Sequence, residues 1–328
     1  MNADKPLFAS KHFRIEWLAE GVYAAIHSAG GTAIGNAGII DLGDRTLVFD
    51  ALFTPQAAED LRAAAEALTG RPVSAVIDSH WHSDHIWGNQ AFDKATDIIS
   101  TEETRRLILA TRGDSDFDAT MANAETDLAV ARARLEAAKD KRQRYECALW
   151  LDQYQGLVGA RPILKVRAPN LAFTGRMAFH GAQRCAELIA FDGGHTESDA
   201  VLWLPQERIV FTSDLLFVGH HPYLGGGTPE GLLRALDAVS ALAPGLLVPG
   251  HGTVGTTKSL RAMRQYVIAL DDMARRMVEA GEAEQAIDAI AIPEPHDAWL
   301  ISSFFASNMR CLYRRHLRSG EIASLRSQ

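Results

Sequence analysis

Ser79-His80-Trp81-His82-Ser83-Asp84-His85 places three imidazoles and one carboxylate within six consecutive positions. Packing alone rarely puts four such donors so close together. They follow an apolar run, Val73-Ser74-Ala75-Val76-Ile77, that reads as a buried strand. A strand that ends by delivering polar ligands into a cleft is where open α/β sheets place their chemistry. The fold must therefore hold this segment at a sheet edge and bring further donors to it.

The local geometry suits a metal. Residues i and i+2 of an extended segment point to one side, roughly 6.5–7 Å apart at the backbone, so His80 and His82 can lean onto one ion. Asp84 continues on that side, or caps a helix that turns His85 back toward the cluster. A catalytic zinc takes three protein ligands and keeps a position for water, so four donors are one too many for a single ion. Two adjacent ions account for the excess. Three more donors sit in similar settings: His195 after Gly193-Gly194, Asp214 after the Ile209–Thr212 strand, and His251 in Pro249-Gly250-His251-Gly252. Each is expected at a strand end beside small residues, where glycine lets the backbone approach a bound group.

The rest of the chain reads as two strand-rich halves around a helical middle. The first half carries β-like runs at Gly21–His27, Asn36–Leu42 and Thr46–Asp50, with a tight turn at Gly43-Asp44. A helix follows, capped by Thr54, with Pro55 in its first turn and Gly70 at its end. Ser100 and Glu103 suggest a capping box. Beyond it, Ala124, Leu128, Ala131, Leu135 and Ala138 form an a/d stripe that Arg142 breaks. This helical hairpin packs on the body, covers the site as a lid, or contacts a second copy. The second half returns to strands at Glu187–Phe191, Ala200–Leu204, Ile209–Thr212 and Leu246–Val248. Helices are expected from Thr228-Pro229, from about Ser259 to Ala280, and from about Asp297 to Ser319. Strand clusters with interspersed helices indicate a layered α/β protein.

Composition narrows the partners. The 328 residues carry a net charge of −8 spread along the chain, which disfavours nucleic acid as the main ligand. No apolar run approaches the roughly 20 residues needed to span a bilayer. Met1–Pro6 lacks the basic start and apolar core of a secretory signal. Cys147, Cys185 and Cys311 form neither a disulfide framework nor a CxxC zinc site, so a cytoplasmic protein is expected.

From about Gly21 to Gly255 the chain resembles the metallo-β-lactamase superfamily. The resemblance rests on HxHxDH at 80–85, Gly-Gly-His-Thr at 193–196, Ser-Asp at 213–214 and Pro-Gly-His-Gly at 249–252. It implies an α/β four-layer αββα sandwich formed as one domain over 1–328. Residues 101–162 would be a helical insertion and residues 257–328 a C-terminal helical segment. It also implies two metal sites. His80, His82 and His195 would hold the first ion, Asp84, His85 and His251 the second, and Asp214 would bridge them. Asp50, Asp78 and Asp199 could fix the imidazole tautomers. His220 and His221, and less readily His296, could line the pocket. His12, His27, His180 and His316 read as ordinary residues, and Trp81 and Trp87 as packing residues.

The implied activity is hydrolysis by hydroxide shared between two zinc ions, with iron or manganese as alternatives. Asp84 would be the catalytic residue, orienting the nucleophile and relaying a proton. Asp214 stands where β-lactamases sharing the Pro-Gly-His-Gly ending have cysteine. Phe217 stands where acyl-homoserine-lactone lactonases have tyrosine, although Tyr223 is near in sequence. His82 is not the glutamate of the flavodiiron branch. A small molecule with an electrophilic carbonyl is expected: lactone, ester, thioester or β-lactam. A mononuclear iron sulfur dioxygenase and a non-catalytic metal-binding module remain as alternatives, and the hairpin leaves a homodimer open.

Overall fold

The computed structural model describes residues 7–326, with side chains described through residue 319. Seven strands form the first sheet: β1 (Phe13–Ala19), β2 (Val22–His27), β3 (Ala37–Asp41), β4 (Thr46–Phe49), β5 (Val73–Ile77), β6 (Asp97–Thr101) and β7 (Leu171–Phe173), side by side in that order. The first four pair antiparallel, and β4 to β7 run parallel. The β3–β4 hairpin closes at Gly43-Asp44, with Gly43 at φ 96° and Leu42 N donating to Arg45 O.

The second sheet has the order β12-β11-β10-β9-β8. Its strands are β8 (Arg176–His180), β9 (Cys185–Asp192), β10 (Ser198–Leu204), β11 (Ile209–Val218) and β12 (Leu246–Gly252). Only β11 and β12 pair in parallel.

Side-chain alternation decides what each sheet face covers. Val22, Ala24 and Ile26 of β2, with Leu47 and Phe49 of β4, meet Leu188, Leu202 and Phe211 from the other sheet in one buried cluster. Phe49 and Phe211 lie 6.0 Å apart across this layer. Gly38 makes room for them, because a Cβ there would stand 2.5 Å from the Phe211 ring. The opposite face of the first sheet, with Ile39, Val48 and Val76, packs against α1 (Pro55–Thr69) through Ala57, Leu61 and Ala64. As expected, Thr54 caps α1 by accepting from Ala57 N and Gly70 ends it at φ 72°.

The outer face of the second sheet is covered by α6 (Pro229–Ala241), α7 (Thr257–Glu279) and α8 (Ser303–Arg326). On α7 the buried residues Leu260, Met263, Val267, Leu270, Ala274 and Met277 recur at three- and four-residue steps, the stripe of a surface helix. The layers are therefore α, β, β, α.

Between β6 and β7 lie three helices, α3 (Glu102–Thr111), α4 (Phe117–Ala137) and α5 (Lys141–Ala160), with α2 (Ser83–Ile86) lying earlier, just after β5. The stripe residues Ala124, Leu128 and Ala131 are buried where α4 packs on α5. Two local expectations need correction. The Ser100–Glu103 capping box does not form: Thr101 caps α3 by accepting from Thr104 N, while Ser100 is buried in β6 and its hydroxyl donates to Thr101 O. The last helix begins at Ser303 rather than Asp297, after a short turn at His296–Ala298. Among the described residues no helix is long and apolar enough to cross a membrane.

Candidate metal centre

Strands β4, β5, β11 and β12 and the β9–β10 turn all deliver residues to one edge of the sandwich. β5 ends at Ile77, and the chain then runs through His80 and His82 into the single turn of α2. His82 is the residue preceding that turn and its side chain makes no cap bond. Asp84 lies inside the turn, so the capping alternative left open by the sequence does not hold. His85 is rotated back over the strand end, its ring centroid 4.5 Å from that of His80.

Asp214 and His251 lie within β11 and β12 rather than after them, because both strands run further than the apolar runs suggest. The β11–β12 register shifts twice around Asp214, and Ser213 sits at φ 45°. This irregularity turns Asp214 toward the cluster. Gly250 is the counterpart of that turn: a Cβ there would stand 1.8 Å from Asp214 Oδ1.

The seven sequence-predicted residues converge as two groups. Ligand atoms of His80, His82, His195 and Asp214 lie within 4.8 Å of one another, and so do those of Asp84, His85 and His251. Asp214 faces both groups. Its Oδ2 is 3.3 Å from His195 Nε2, and its Oδ1 is 3.3 Å from His85 Nε2 and 3.4 Å from His251 Nε2. Asp84 Oδ2 is 3.2 Å from His251 Nε2 and 3.4 Å from His85 Nε2. His82 Nδ1 and His195 Nε2 face each other at 3.1 Å.

Several of these atoms have no hydrogen bond. His80 Nε2, His85 Nε2 and Asp214 Oδ1 are buried and have no hydrogen-bond partner. Burying such groups unsatisfied is costly. Lone pairs of imidazole and carboxylate aimed at common points fit divalent cations, which accept N and O donors together.

The charges agree. Burial, strengthened by the neighbouring His85 and His82, drives His80 well below the usual histidine range. Burial likewise pushes His195 down to about 3, against the pull of Asp214. Both rings are therefore neutral and able to donate lone pairs. Burial opposes charge on His85 and His251 as well, but adjacent carboxylates override it. Asp84, Asp214 and Asp50 raise His85 well above its ordinary value, and Asp214 and Asp84 bring His251 up to about 9. In return, Asp84 and Asp214 stay ionised despite burial, held well below the carboxylate range chiefly by His85 and by His251 respectively.

The supporting carboxylates divide the work unequally. Asp50 Oδ2 accepts from Ser79 Oγ and Ser213 Oγ and lies 2.8 Å from His85 Nδ1, so it orients that ring. Asp199 accepts from His195 N and Thr196 N and braces the turn rather than a ring. Asp78 does not reach an imidazole and accepts from Asn89 instead. Sequence reasoning missed Asn36, whose amide donates to Pro249 O and Gly252 O and whose Oδ1 accepts from His27 N. It ties the first sheet to the His251 segment. An isolated asparagine carries no motif, so nothing in the sequence marked it.

A cavity of about 710 Å³ opens over the cluster. His220 and His221 line it, as expected; His27, read as ordinary, lines it too, and His296 does not. Trp81 also reaches it, its indole donating to Glu197, whereas Trp87 is core. Phe217 stacks on His251 at 4.9 Å. Tyr223 places its ring 6.1 Å from His82 and 6.3 Å from His195.

Comparison with known proteins agrees with this architecture. Solved structures with the same fold include a metallo-beta-lactamase from Pontibacter korlensis, with a TM-score of 0.56 and 16% identity over 78% of this chain and 98% of that one. A metallo-beta-lactamase from Hirschia baltica gives 0.55 and 16% over 78% and 98%. The DIM-1 metallo-beta-lactamase gives 0.54 and 16% over 79% and 98%. A search of curated proteins found no significant match. The family model described as the metallo-beta-lactamase superfamily matches residues 30–251, a span that contains both sheets' central strands and all seven converging side chains. With that match over more than half its length, the chain belongs to the metallo-beta-lactamase superfamily.

Proposed function

We infer that this protein is a dinuclear metal-dependent hydrolase, with zinc as the expected metal, acting on a small molecule with an electrophilic carbonyl. The fold and family support a metal-dependent hydrolase in general. The observation that carries the dinuclear reading is the division of donors into two groups that share Asp214. In this reading His80, His82 and His195 hold one ion, Asp84, His85 and His251 hold the other, and Asp214 links them.

Two such ions would supply a water of lowered pKa and polarise the substrate carbonyl. The chain's own residues do the rest. Asp50 fixes the His85 tautomer. Asp84 faces the cavity with an ionised carboxylate and is the group placed to orient a water and pass its proton to the leaving group. Substrate classes compatible with this chemistry are lactone, ester, thioester and β-lactam. Within a single domain, the 101–162 insertion covers one side of the site as a fixed wall, because α5 supplies Tyr145, Leu149, Trp150 and Gln153 to the cavity lining. Three free cysteines suit a reducing cytoplasm.

The test is elemental analysis followed by a hydrolysis panel on one sample, with His82→Ala as control. Two divalent ions per chain with turnover abolished in the variant support the reading. Unchanged turnover in His82→Ala rejects the site. One iron per chain with thiol-dependent oxygen uptake replaces it with a sulfur dioxygenase.

A further inference from the structure

A row of aromatic rings leads away from the metal centre along one cavity wall. Tyr223 stands beside His82 and His195. Phe304 follows at 5.8 Å from Tyr223, and Trp150 at 5.7 Å from Phe304. Leu149 lies next to Trp150 on α5 and also lines the cavity. These residues come from three separate parts of the chain, and the wall is fixed at its joints. Glu146 of α5 accepts from Ser302 Oγ at 2.8 Å, Arg142 bonds the carbonyls of Asp297 and Trp299, and Asp152 accepts from Gly30 N at 2.7 Å. The row is therefore a held surface, largely pre-formed, as ligand sites generally are.

The cavity's charges point the same way. Among the described lining residues Arg14 is the single lysine or arginine, and its guanidinium is already bonded to Glu16 at 2.6 Å. Asp114 and Glu197 add negative charge away from the metal centre. Away from the metal centre, a substrate carboxylate or phosphate would find no lysine or arginine among the described lining residues besides the paired Arg14 and would face Asp114 and Glu197, a like-charge arrangement that disfavours binding. Thioesters of anionic carriers bring negative charge to this part of the cavity.

Resting on the hydrolase reading above, we propose that the substrate is an uncharged ester or lactone whose extended apolar group lies along Tyr223, Phe304, Trp150 and Leu149. In hydrolysis of such a substrate the oxygen of water bonds to the acyl carbon and the acyl C–O bond breaks. The alcohol leaves with a proton, so no oxidant or reductant is needed. Trp150, Phe304 and Leu149 are the specificity-determining residues, and the reach of the row sets the preferred chain length.

Two measurements test this. The first follows kcat/KM of metal-loaded protein on p-nitrophenyl acetate, butyrate, hexanoate and octanoate. It should rise by roughly fourfold per methylene until the row is filled. Trp150→Ala should lose at least tenfold on octanoate, mainly through KM, with a loss on acetate at least fivefold smaller and Trp150→Phe recovering part of the octanoate loss. A hexanoate ester carrying a terminal carboxylate should react at least tenfold more slowly than hexanoate. The second is calorimetric binding of acetamide, hexanamide and octanamide to metal-free protein, before and after Trp150→Ala. Binding should strengthen with chain length in wild type and lose that dependence in the variant. A flat chain-length profile in both experiments overturns the apolar site while leaving the hydrolase reading intact. Chain-length-dependent amide binding without turnover of any ester upholds the site and removes the hydrolase reading.

Discussion

Asp50 Oδ2 lies 2.8 Å from His85 Nδ1, with both side chains buried. The same carboxylate accepts from Ser79 and Ser213, so it joins the strand that carries the His80–His85 segment to the strand that carries Asp214. Replacing Asp50 with Ala frees the His85 ring and leaves Ser79 N and Ser213 Oγ without their acceptor. Loss of such a supporting carboxylate costs about 10–100-fold in metal affinity or activity. Competition with a chromophoric chelator should show that loss; unaltered affinity would mean His85 needs no orientation from Asp50.

Gly250 is a steric requirement of the centre. A methyl group there would stand 1.8 Å from Asp214 Oδ1 and 2.9 Å from Asp214 N. Gly250→Ala should displace the shared carboxylate. A displacement near 1 Å at a reacting centre costs about 100-fold, read as kcat/KM together with metal content.

How far the sequence discloses this molecule depends on where information is local. The 80–85 segment reads directly, because its four donors fall within six positions, and Gly-Gly-His and Pro-Gly-His stand out because glycine is needed where backbone comes close to the cluster, while Ser-Asp is marked by the end of an apolar run. α1 and α7 are legible from caps and apolar spacing. β8 escapes because it is an edge strand with alternating exposed and half-buried residues, and β7 because it has three residues. Thr101 and Ser100 both offer hydroxyls, and only the strand's pairing decides which one faces the helix. Asn36 and the aromatic row are invisible beforehand, since their partners lie far away in the chain.

The metal-free protein should bind cations in exchange for protons. At neutral pH His85 and His251 are charged, because carboxylates outweigh burial, with His251 at about 9. Both protons must leave before the rings can coordinate. Metal affinity should therefore rise from pH 6 toward about 9, and loading in weak buffer should acidify the solution. Raised histidine pKa values also stabilise the metal-free fold below the ordinary value of 6.5, an effect lost as pH rises through about 9. Its melting temperature should fall over that interval. Proton-neutral loading at pH 7 would refute this.

Gly38 offers a control in the core between the sheets. Its missing side chain admits the Phe211 ring, which a Cβ would approach to 2.5 Å. Gly38→Ala should cost about 1–3 kcal/mol by overpacking. Thermal unfolding should show the loss, with metal stoichiometry unchanged.

Metal counting in Asp214→Ala against wild type tests the dinuclear centre most directly. Two divalent ions per chain in the wild type, falling to one or fewer in the variant together with hydrolysis, is the predicted result. Wild-type protein that saturates at a single ion, or a variant that keeps both, would contradict the shared carboxylate.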